Sequence, residues 1–336
     1  MKNQWITIVL LAILLSSCEL FLEPEPKNNA EAIFENLWTT FDESYGPFNE
    51  RNIDWDALYR IYRPQVTAST TEEELYQTIT AMLTNLDDGH VQLVAPDRRI
   101  FNANYIRNNK IDDELFNLDV IRNKYLEPGF KQLSDDGYVY GKIRGKNIGY
   151  IYFNYVADNF FIMNQFLDEN LFSDGIIIDL RHNQGGDFTF GFSAFGRLTN
   201  QTRDVFQSRT KNGTGSNDFT PLHTWRLTPG GAYFNKPIIV LTDRYTISAG
   251  ERSVMALMTL PNVTVMGDTT SGAHATMIGR ELANGWYYTI ATQNTLLFDG
   301  KSYEGIGLAP DVVVKNVLEE INNGIDRTLQ YAIDSF

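Results

Sequence analysis

Apolar residues in the first third of the chain recur at helical spacing. Between residues 33 and 41 they lie three and four positions apart, which predicts an amphipathic helix that ends before Gly46. Farther on, Thr71 and Glu74 have the spacing of a capping box ahead of another apolar face. Helices are therefore predicted across 33–41, after Asp54 and from Thr71, within an N-terminal helical subdomain of residues 30–95.

The pattern changes to alternating strands and helices from residue 137 onward. Short, uninterrupted apolar runs are typical of strands that are buried on both faces of a sheet. The connecting stretch 96–136 has no clear period, so no element is predicted there. The predicted fold class is α/β, with strands at 138–143, 148–153, 175–180, 237–241 and 263–266 and helices at 160–171, 249–260 and 317–336, in a core of residues 137–336.

The first residues have the pattern of a targeting signal. Lys2 precedes an apolar run at 5–15 that is too short to span a bilayer as a stable helix. Small residues then lead into Cys18, as in a bacterial lipoprotein signal, which predicts a signal peptide at 1–17 and lipidation of Cys18. Residues 18–29, with two prolines, are predicted to be the lipidated tether, and an ordinary secretory signal is the alternative.

Composition narrows the classes of partner. The chain has 336 residues and a formal net charge of −14, which argues against nucleic acid and anionic lipid as partners. Cys18 is the only cysteine, so intrachain disulfides are excluded. The fold must therefore be stabilised by packing alone.

Ser248 has the sequence setting of an activated hydroxyl. It follows an apolar strand and begins a predicted helix, whose free amides and positive dipole end favour negative charge beside the serine. Small Ala249 and Gly250 allow a substrate to approach the backbone. The alternative is that Ser248 is simply an N-cap, the commonest role of a serine at a helix start.

A second turn between a predicted strand and a predicted helix contains Gly185 and Gly186. It follows the buried strand that starts at Gly175, and the carboxyl ends of parallel strands form the edge where open α/β sheets bind ligands. Gly185 or Gly186 is therefore predicted to supply an oxyanion donor opposite Ala249. In the same segment, Asp179 and Arg181 are predicted to form an ion pair that holds the strand end, without a chemical role.

Five segments in order resemble the marks of one protease family. The chain is identified as a member of the tail-specific, or C-terminal processing, serine proteases. The resemblance implies a core like that of Clp-type proteases and crotonases, with Ser248 in the nucleophile position. The segments are LDDGHVQL around His90, IIIDLRHNQGGD, TDRYTISAGERS around Ser248, GDTTSGAH and YEGIGLAPDVVV around Glu304.

Family members differ in how the serine is activated. Those with a Ser-Lys dyad carry a lysine where this chain has Ala273. The tricorn-core-like branch instead uses a histidine after the DGH-type turn and a glutamate in the EG-x-G motif, which match His90 and Glu304. The resemblance therefore implies a Ser248, His90 and Glu304 trio, in which His90 is the base and Glu304 fixes its tautomer. One departure is Gly89, where the tricorn pattern has a serine.

Each candidate has a simpler interpretation. His90 could cap a helix end, and Glu304 could be a surface acid. His274 flanks the lost lysine position and is an alternative base, while His182 and His223 are expected to be structural or exposed. The spacing of the histidines and acids indicates no metal site, and no cofactor is implied.

The sequence as a whole predicts a serine-type endopeptidase that hydrolyses peptides or unfolded proteins. Lipid on Cys18 would hold it to a bacterial membrane outside the cytoplasm, in the periplasm or at the cell surface. The stretch between His90 and the strand at 148 is too short for a PDZ module, so none is expected. Oligomers are compatible with the sequence. The competitors are a catalytically inactive peptide- or lipid-binding lipoprotein on the same fold and a hydrolase of small esters or amides.

Overall fold

A computed structural model describes residues 27–133, 137–157 and 161–336. The predicted signal peptide and Cys18 lie outside the described residues, as does most of the tether. Helices α1 to α10 are Ala30–Ser44, Trp55–Tyr62, Glu72–Thr84, Tyr105–Asn108, Leu118–Val120, Ile162–Glu169, Phe188–Phe195, Ala249–Met258, Leu318–Asn322 and Arg327–Asp334. Strands β1 to β14 are Gln92–Val94, Phe101–Asn102, Lys131–Leu133, Tyr138–Lys142, Ile148–Phe153, Gly175–Asp179, Arg203–Thr210, His223–Leu227, Ile238–Thr242, Val263–Gly267, Met277–Glu281, Tyr287–Ala291, Gln293–Leu297 and Val312–Val313.

The core is a seven-stranded sheet in the order β14-β10-β9-β6-β5-β4-β3. Strands β5, β6, β9, β10 and β14 run parallel to one another, β4 pairs antiparallel with β5, and β3 pairs antiparallel with β4 at the sheet edge. Every residue of β5, β6 and β9 is buried, because helices and loops cover both faces, and this explains their continuous apolar runs. The predicted α/β fold class is confirmed.

Two smaller antiparallel sheets accompany the large one. One has the order β11-β12-β1-β2 and the other β13-β7-β8. The N-terminal helices pack on the first of them, because one hydrophobic cluster joins Phe34 and Phe41 to Trp286, Tyr288 and Ile290. The helical subdomain thus shares its core with residues from near the other end of the chain.

The three N-terminal helices form as the pattern predicts. The capping box of α3 is present, since Glu74 N donates to Thr71 Oγ1 at 3.3 Å and Thr71 N to Glu74 Oε2 at 2.8 Å. Within the described parts of the chain, no helix combines the length and the apolar character that crossing a bilayer requires.

The prediction of one closing helix at 317–336 is wrong in one respect, because the segment forms two helices, α9 and α10. Gly324 adopts a φ of +80°, a left-handed conformation that ends α9. Asp326 then caps α10, with its Oδ1 accepting from Leu329 N at 2.9 Å. The break places the Asp326 carboxylate against the sheet.

The connecting region 96–136 contains only short elements in its described part. They are β2, β3, α4, α5, a 3₁₀ turn at Asp113–Leu115 and a π-helical turn at Ile121–Tyr125, and the longest of these has five residues. Elements of this length are too short to show a hydrophobic period, which accounts for the undecided pattern.

Arg181 joins the end of β6 to the last helix. It forms the predicted ion pair with Asp179 and a second ion pair with Asp326. Its Nη2 lies 2.6 Å from Asp179 Oδ2 and its Nη1 2.9 Å from Asp326 Oδ1. Tyr150 adds a hydrogen bond to Asp179 at 2.9 Å. All of these groups are buried, so the two carboxylates depend on the guanidinium for charge compensation.

Replacing Arg181 by methionine is expected to lower the free energy of unfolding by about 3–5 kcal/mol, because two buried carboxylates lose their cation. Urea denaturation followed by circular dichroism measures this change. The control is Arg226→Met, which removes an exposed pair with Asp204 and is expected to cost about 1 kcal/mol or less. Equal effects of the two variants would contradict the assignment.

Candidate active site

Ser248 begins α8 in an unusual backbone conformation. Its φ is 59° and its ψ −122°, outside the extended region that an ordinary N-cap adopts, although Ser248 and Glu251 have the capping-box arrangement at the helix start. Ser248 therefore does hold the N-cap position, and its positive φ needs a further explanation. A non-glycine residue at positive φ costs free energy and persists only where its surroundings determine it strongly.

The turns that follow β6 and β9 meet at the carboxyl edge of the sheet. Ile247 N donates to the Asn183 carbonyl at 3.0 Å, and Asn183 Nδ2 donates to the Phe153 carbonyl at 2.7 Å. A Cβ on Gly185, which has a φ of +96°, would lie 3.1 Å from Ser248 Oγ. Glycine is required here because the two turns approach so closely.

Two backbone amides near Ser248 are available as oxyanion donors. The amides of Gly186 and Ala249 donate no hydrogen bond to any described residue. Gly185 was the other predicted donor, and this part of the prediction is wrong because its amide donates to Asn183 Oδ1 at 2.9 Å. An amide that is already bonded cannot stabilise a developing oxyanion.

His90 presents an unbonded imidazole. Its backbone is fixed by Asp88 Oδ1, which accepts from His90 N at 2.8 Å, and by Thr289 Oγ1, which donates to the His90 carbonyl at 2.6 Å. Neither ring nitrogen has a hydrogen-bond partner among the described residues, although the side chain is only 3% exposed. The helix-cap interpretation thus fails, since the ring bonds no helix carbonyl.

Ser248 and His90 face the same cavity. Its volume is about 460 Å³, and Gly186 and Ala249 also line it. Burial lowers the pKa of His90 to about 4, so the imidazole is neutral at neutral pH and able to accept a proton. The cavity therefore combines a hydroxyl, a neutral imidazole and two free amides.

Glu304 is buried and lies away from the His90 ring. Its Oε1 accepts from Arg51 Nη2 at 2.8 Å, and its Oε2 accepts from the backbone amide of His274 at 2.9 Å. Burial raises the pKa of Glu304, and the Arg51 guanidinium opposes that rise. The structure does not bring Glu304 to His90 by a hydrogen bond, and the surface-acid interpretation is also wrong because Glu304 is 1% exposed.

Arg51 links the Glu304 turn to the His90 turn. Besides Glu304, its guanidinium donates to the Asp87 carbonyl at 2.7 Å and to the Gly272 carbonyl at 2.6 Å. Its Nε lies 3.6 Å from Asp88 Oδ2. Arg51 comes from the segment between α1 and α2, and sequence analysis missed it because a single arginine far from the motifs carries no signal.

Glu251 is the second residue that sequence analysis missed. Burial raises its pKa, but the neighbouring His274 and several hydrogen bonds outweigh burial and bring the pKa down to about 2. The sequence feature that could have identified Glu251 is its position, three residues after Ser248 on the first turn of α8. Glu251 accepts hydrogen bonds from Ser248 N, Thr270 Oγ1, Gly272 N and Ala273 N at 3.3, 2.5, 2.8 and 2.9 Å.

His274 lies between two buried carboxylates. Its Nε2 is 3.0 Å from Glu251 Oε1 and its Nδ1 is 3.9 Å from Glu304 Oε2. Burial lowers the pKa of His274, but the two carboxylates outweigh it and the net shift is upward. A raised pKa favours the protonated imidazole, which cannot accept a proton, so His274 is less suited than His90 to act as a base.

The other two histidines lie apart from the cavity. His182 places Nδ1 2.6 Å from Asp243 Oδ2 and stacks on Tyr245 at a ring distance of 4.6 Å. His223 is exposed on β8 and packs edge-on against Trp225 at 4.6 Å.

Part of this site lies in a range that a known family model matches. The model of peptidase family S41 matches residues 147–314, half of the chain, and this range includes Ser248, the Gly185–Gly186 turn and Glu304. The chain belongs to peptidase family S41. A second model, the Tricorn protease C1 domain, matches residues 26–84, which include α1 to α3.

Curated relatives in family S41 are C-terminal processing proteases. The carboxyl-terminal-processing protease of Synechocystis sp. is 26% identical over 198 residues, which are 56% of this chain and 44% of that protein. The carboxy-terminal-processing protease of Bartonella bacilliformis is 29% identical over 155 residues, 46% of this chain and 34% of that protein. The chain thus spans less than half the length of the curated relatives it matches.

Solved structures show the same fold. A candidate peptidase from Parabacteroides merdae has a TM-score of 0.82 and 27% identity, with 92% of this chain and 97% of that chain covered. The photosystem II D1 C-terminal processing protease gives a TM-score of 0.53 at 15% identity, covering 86% and 94%. The tricorn protease gives 0.57 at 16%, covering 91% of this chain and 36% of that one.

Family S41 consists of serine peptidases, and Ala273 lies within the matched range, beside the Ser248 turn. The Ala273 side chain is fully buried, and its carbonyl accepts from Ser248 N at 3.1 Å. The backbone at this position thus still supports the serine, while the side chain supplies no base.

The pKa values of the two buried imidazoles, His90 and His274, are expected to be shifted in opposite directions. In ¹⁵N NMR spectra of histidine-labelled protein, His90 should stay neutral until the pH approaches about 4, because its charged form is desolvated. His274 should become neutral only above the ordinary value near 6.5, because Glu251 stabilises its charge. The variants His90→Gln and His274→Gln assign the signals. A protonated His90 at neutral pH would contradict the assignment of His90 as a neutral imidazole that can accept a proton.

Proposed function

We propose that the chain is a serine endopeptidase with Ser248 as nucleophile and His90 as general base. The observation that carries the proposal is the single cavity lined by Ser248, the unbonded His90 ring and the free amides of Gly186 and Ala249. Acyl transfer needs a hydroxyl, a base and oxyanion donors, and these residues supply each of them.

The chemistry follows from the roles of these groups. His90 takes the proton from Ser248 Oγ as the oxygen attacks the scissile carbonyl carbon, and the amides of Gly186 and Ala249 stabilise the oxyanion. Collapse of the tetrahedral intermediate breaks the C–N bond, and His90 returns the proton to the leaving amine. Water then attacks the acyl-enzyme with His90 as base, which releases the carboxylic acid and regenerates Ser248.

Glu304 acts in this proposal as a positioning residue. Its bonds to Arg51 and to the His274 amide support a role in holding the surrounding turns. The tautomer-fixing role that the family resemblance implied has no supporting contact between Glu304 and the His90 ring. A Cβ on Gly89 would lie 2.6 Å from Ile247 Cδ1, the flexible end of a side chain that can shift to accommodate it.

The setting of the reaction is part of the proposal. Lipidation at Cys18 after removal of residues 1–17 would hold the enzyme to a bacterial membrane outside the cytoplasm, where peptides and unfolded proteins are its substrates. The relatives named as C-terminal processing proteases support this class of substrate. The competing assignment is a binding lipoprotein, and the free oxyanion amides beside Ser248 favour the peptidase.

The direct test uses the chain from about residue 28 onward, a fluorophosphonate probe and a denatured protein substrate. Ser248→Ala should abolish both labelling and cleavage, and His90→Ala should lower the cleavage rate by about 10²–10⁴-fold, the usual contribution of a general base. His274→Ala serves as the comparison and should retain more activity than His90→Ala. Cleavage that survives Ser248→Ala would refute the mechanism, and the reverse order of the histidine variants would move the base to His274.

The pH dependence of kcat/KM gives a further prediction. The base must be neutral in the free enzyme, so activity should be lost as the pH falls through the His90 pKa of about 4, below the ordinary imidazole value. Initial rates between pH 3 and pH 8 with a small ester substrate would locate this acid limb. An acid limb near the ordinary imidazole value would show that His90 is not buried as described.

A further inference from the structure

Two guanidinium groups line the Ser248 cavity without a carboxylate partner. Arg107 donates to Gln184 Oε1 at 2.9 Å and to the Tyr245 carbonyl at 2.7 Å. Arg252 donates to the His274 carbonyl at 2.9 Å, Thr276 Oγ1 at 3.1 Å and Gln293 Oε1 at 2.8 Å. All of these acceptors are neutral, and among the described residues neither arginine forms an ion pair.

Acids around the two guanidinium groups offset this charge without reaching ion-pair distance: Asp243, Glu251 and Asp113 act on Arg107, and Glu304, Glu251 and Asp187 act on Arg252. The one acid lining the cavity, Asp187, is exposed, and its Oδ1 accepts from Thr189 N at 2.9 Å. Burial lowers the pKa of both guanidinium groups, that of Arg252 to about 10, so each remains charged at neutral pH. Arg252 is buried and Arg107 is partly buried, and a desolvated cation without an ion-pair partner is costly, so an anionic group on a ligand would complete this site.

Arg107 has the donors to bind such a group. A guanidinium carries five N–H donors, and two of those of Arg107 are used in the bonds above. Its Nε is buried and has no acceptor among the described residues. Arg252 is different, because each of its nitrogens already donates, and Phe188 lies 4.6 Å from its guanidinium carbon.

We propose that the cavity recognises a carboxylate of the peptide substrate, with Arg107 as the specificity-determining residue that binds it. Arg252 contributes charge from a fixed position. This inference rests on the proposed function, because it names the substrate class of the same site. The carboxylate can be an acidic side chain near the scissile bond or the free C-terminus of the peptide, and both present the same planar, bidentate group to a guanidinium.

The test measures binding separately from hydrolysis. The Ser248→Ala chain is titrated, by fluorescence anisotropy, into four matched hexapeptide pools that carry glutamate or glutamine at one position and end in a free acid or an amide. Pools with the recognised carboxylate should bind about tenfold to a hundredfold more tightly than the neutral pool, as expected for hydrogen bonds to a charged group. Comparison of the glutamate amide pool with the glutamine acid pool identifies the source of the carboxylate.

Arg107→Gln in the same background should abolish the ratio between acidic and neutral pools. That ratio is the readout because a purely structural effect would weaken all four pools alike. The matched control is Arg99→Gln, which removes an exposed arginine that donates to the Asn108 carbonyl at 3.0 Å, and it should leave the ratio unchanged.

Each outcome decides one of the two proposals. Equal binding of the four pools, no binding of any pool, or a preference that survives Arg107→Gln would overturn the carboxylate site. Cleavage by the wild-type chain with no carboxylate preference would do the same while leaving the peptidase intact. A carboxylate preference in a chain that cleaves no peptide would support this site and refute the proposed hydrolysis.

Discussion

The active-site turns depend on the buried carboxylate of Glu251. One of its oxygens accepts from Thr270 Oγ1 and Gly272 N, and the other accepts from Ala273 N and Ser248 N. A buried carboxylate is stabilising only when its lone pairs are satisfied, and here four donors from two turns satisfy it. This set of bonds explains how Ser248 is held at positive φ, since a strained backbone persists only where its surroundings over-determine it.

Charge compensation extends this network to the N-terminal helices. His274, which follows Ala273 in the chain, lies beside Glu251, and that carboxylate is the main influence that raises the pKa of its imidazole. Glu304 follows on the other side of His274 and is bonded in turn to Arg51. The helical subdomain therefore contributes to the site electrostatically as well as by packing, which gives a physical reason for its place in the same folded unit.

Sequence analysis predicted the parts of this structure that depend on local pattern. The apolar strands β5, β6 and β9 and the capping box of α3 follow from periodicity and capping chemistry. The Gly324 break was missed because one glycine in a helical pattern does not decide between a kink and an end. The involvement of Glu304 with Arg51 depends on residues some 250 positions apart, and no local signal reports such a contact.

The proposed carboxylate site and the proposed base are electrostatically coupled. Burial is the main cause of the low His90 pKa, and the nearby Arg252 lowers it further. A carboxylate bound in the cavity would offset that positive charge and raise the pKa of His90 toward the range where a general base works best. Such a ligand would strengthen the base that acts on it, whereas a neutral peptide would leave His90 weakly basic. Specificity and rate would then arise from one charge interaction, without movement of the backbone.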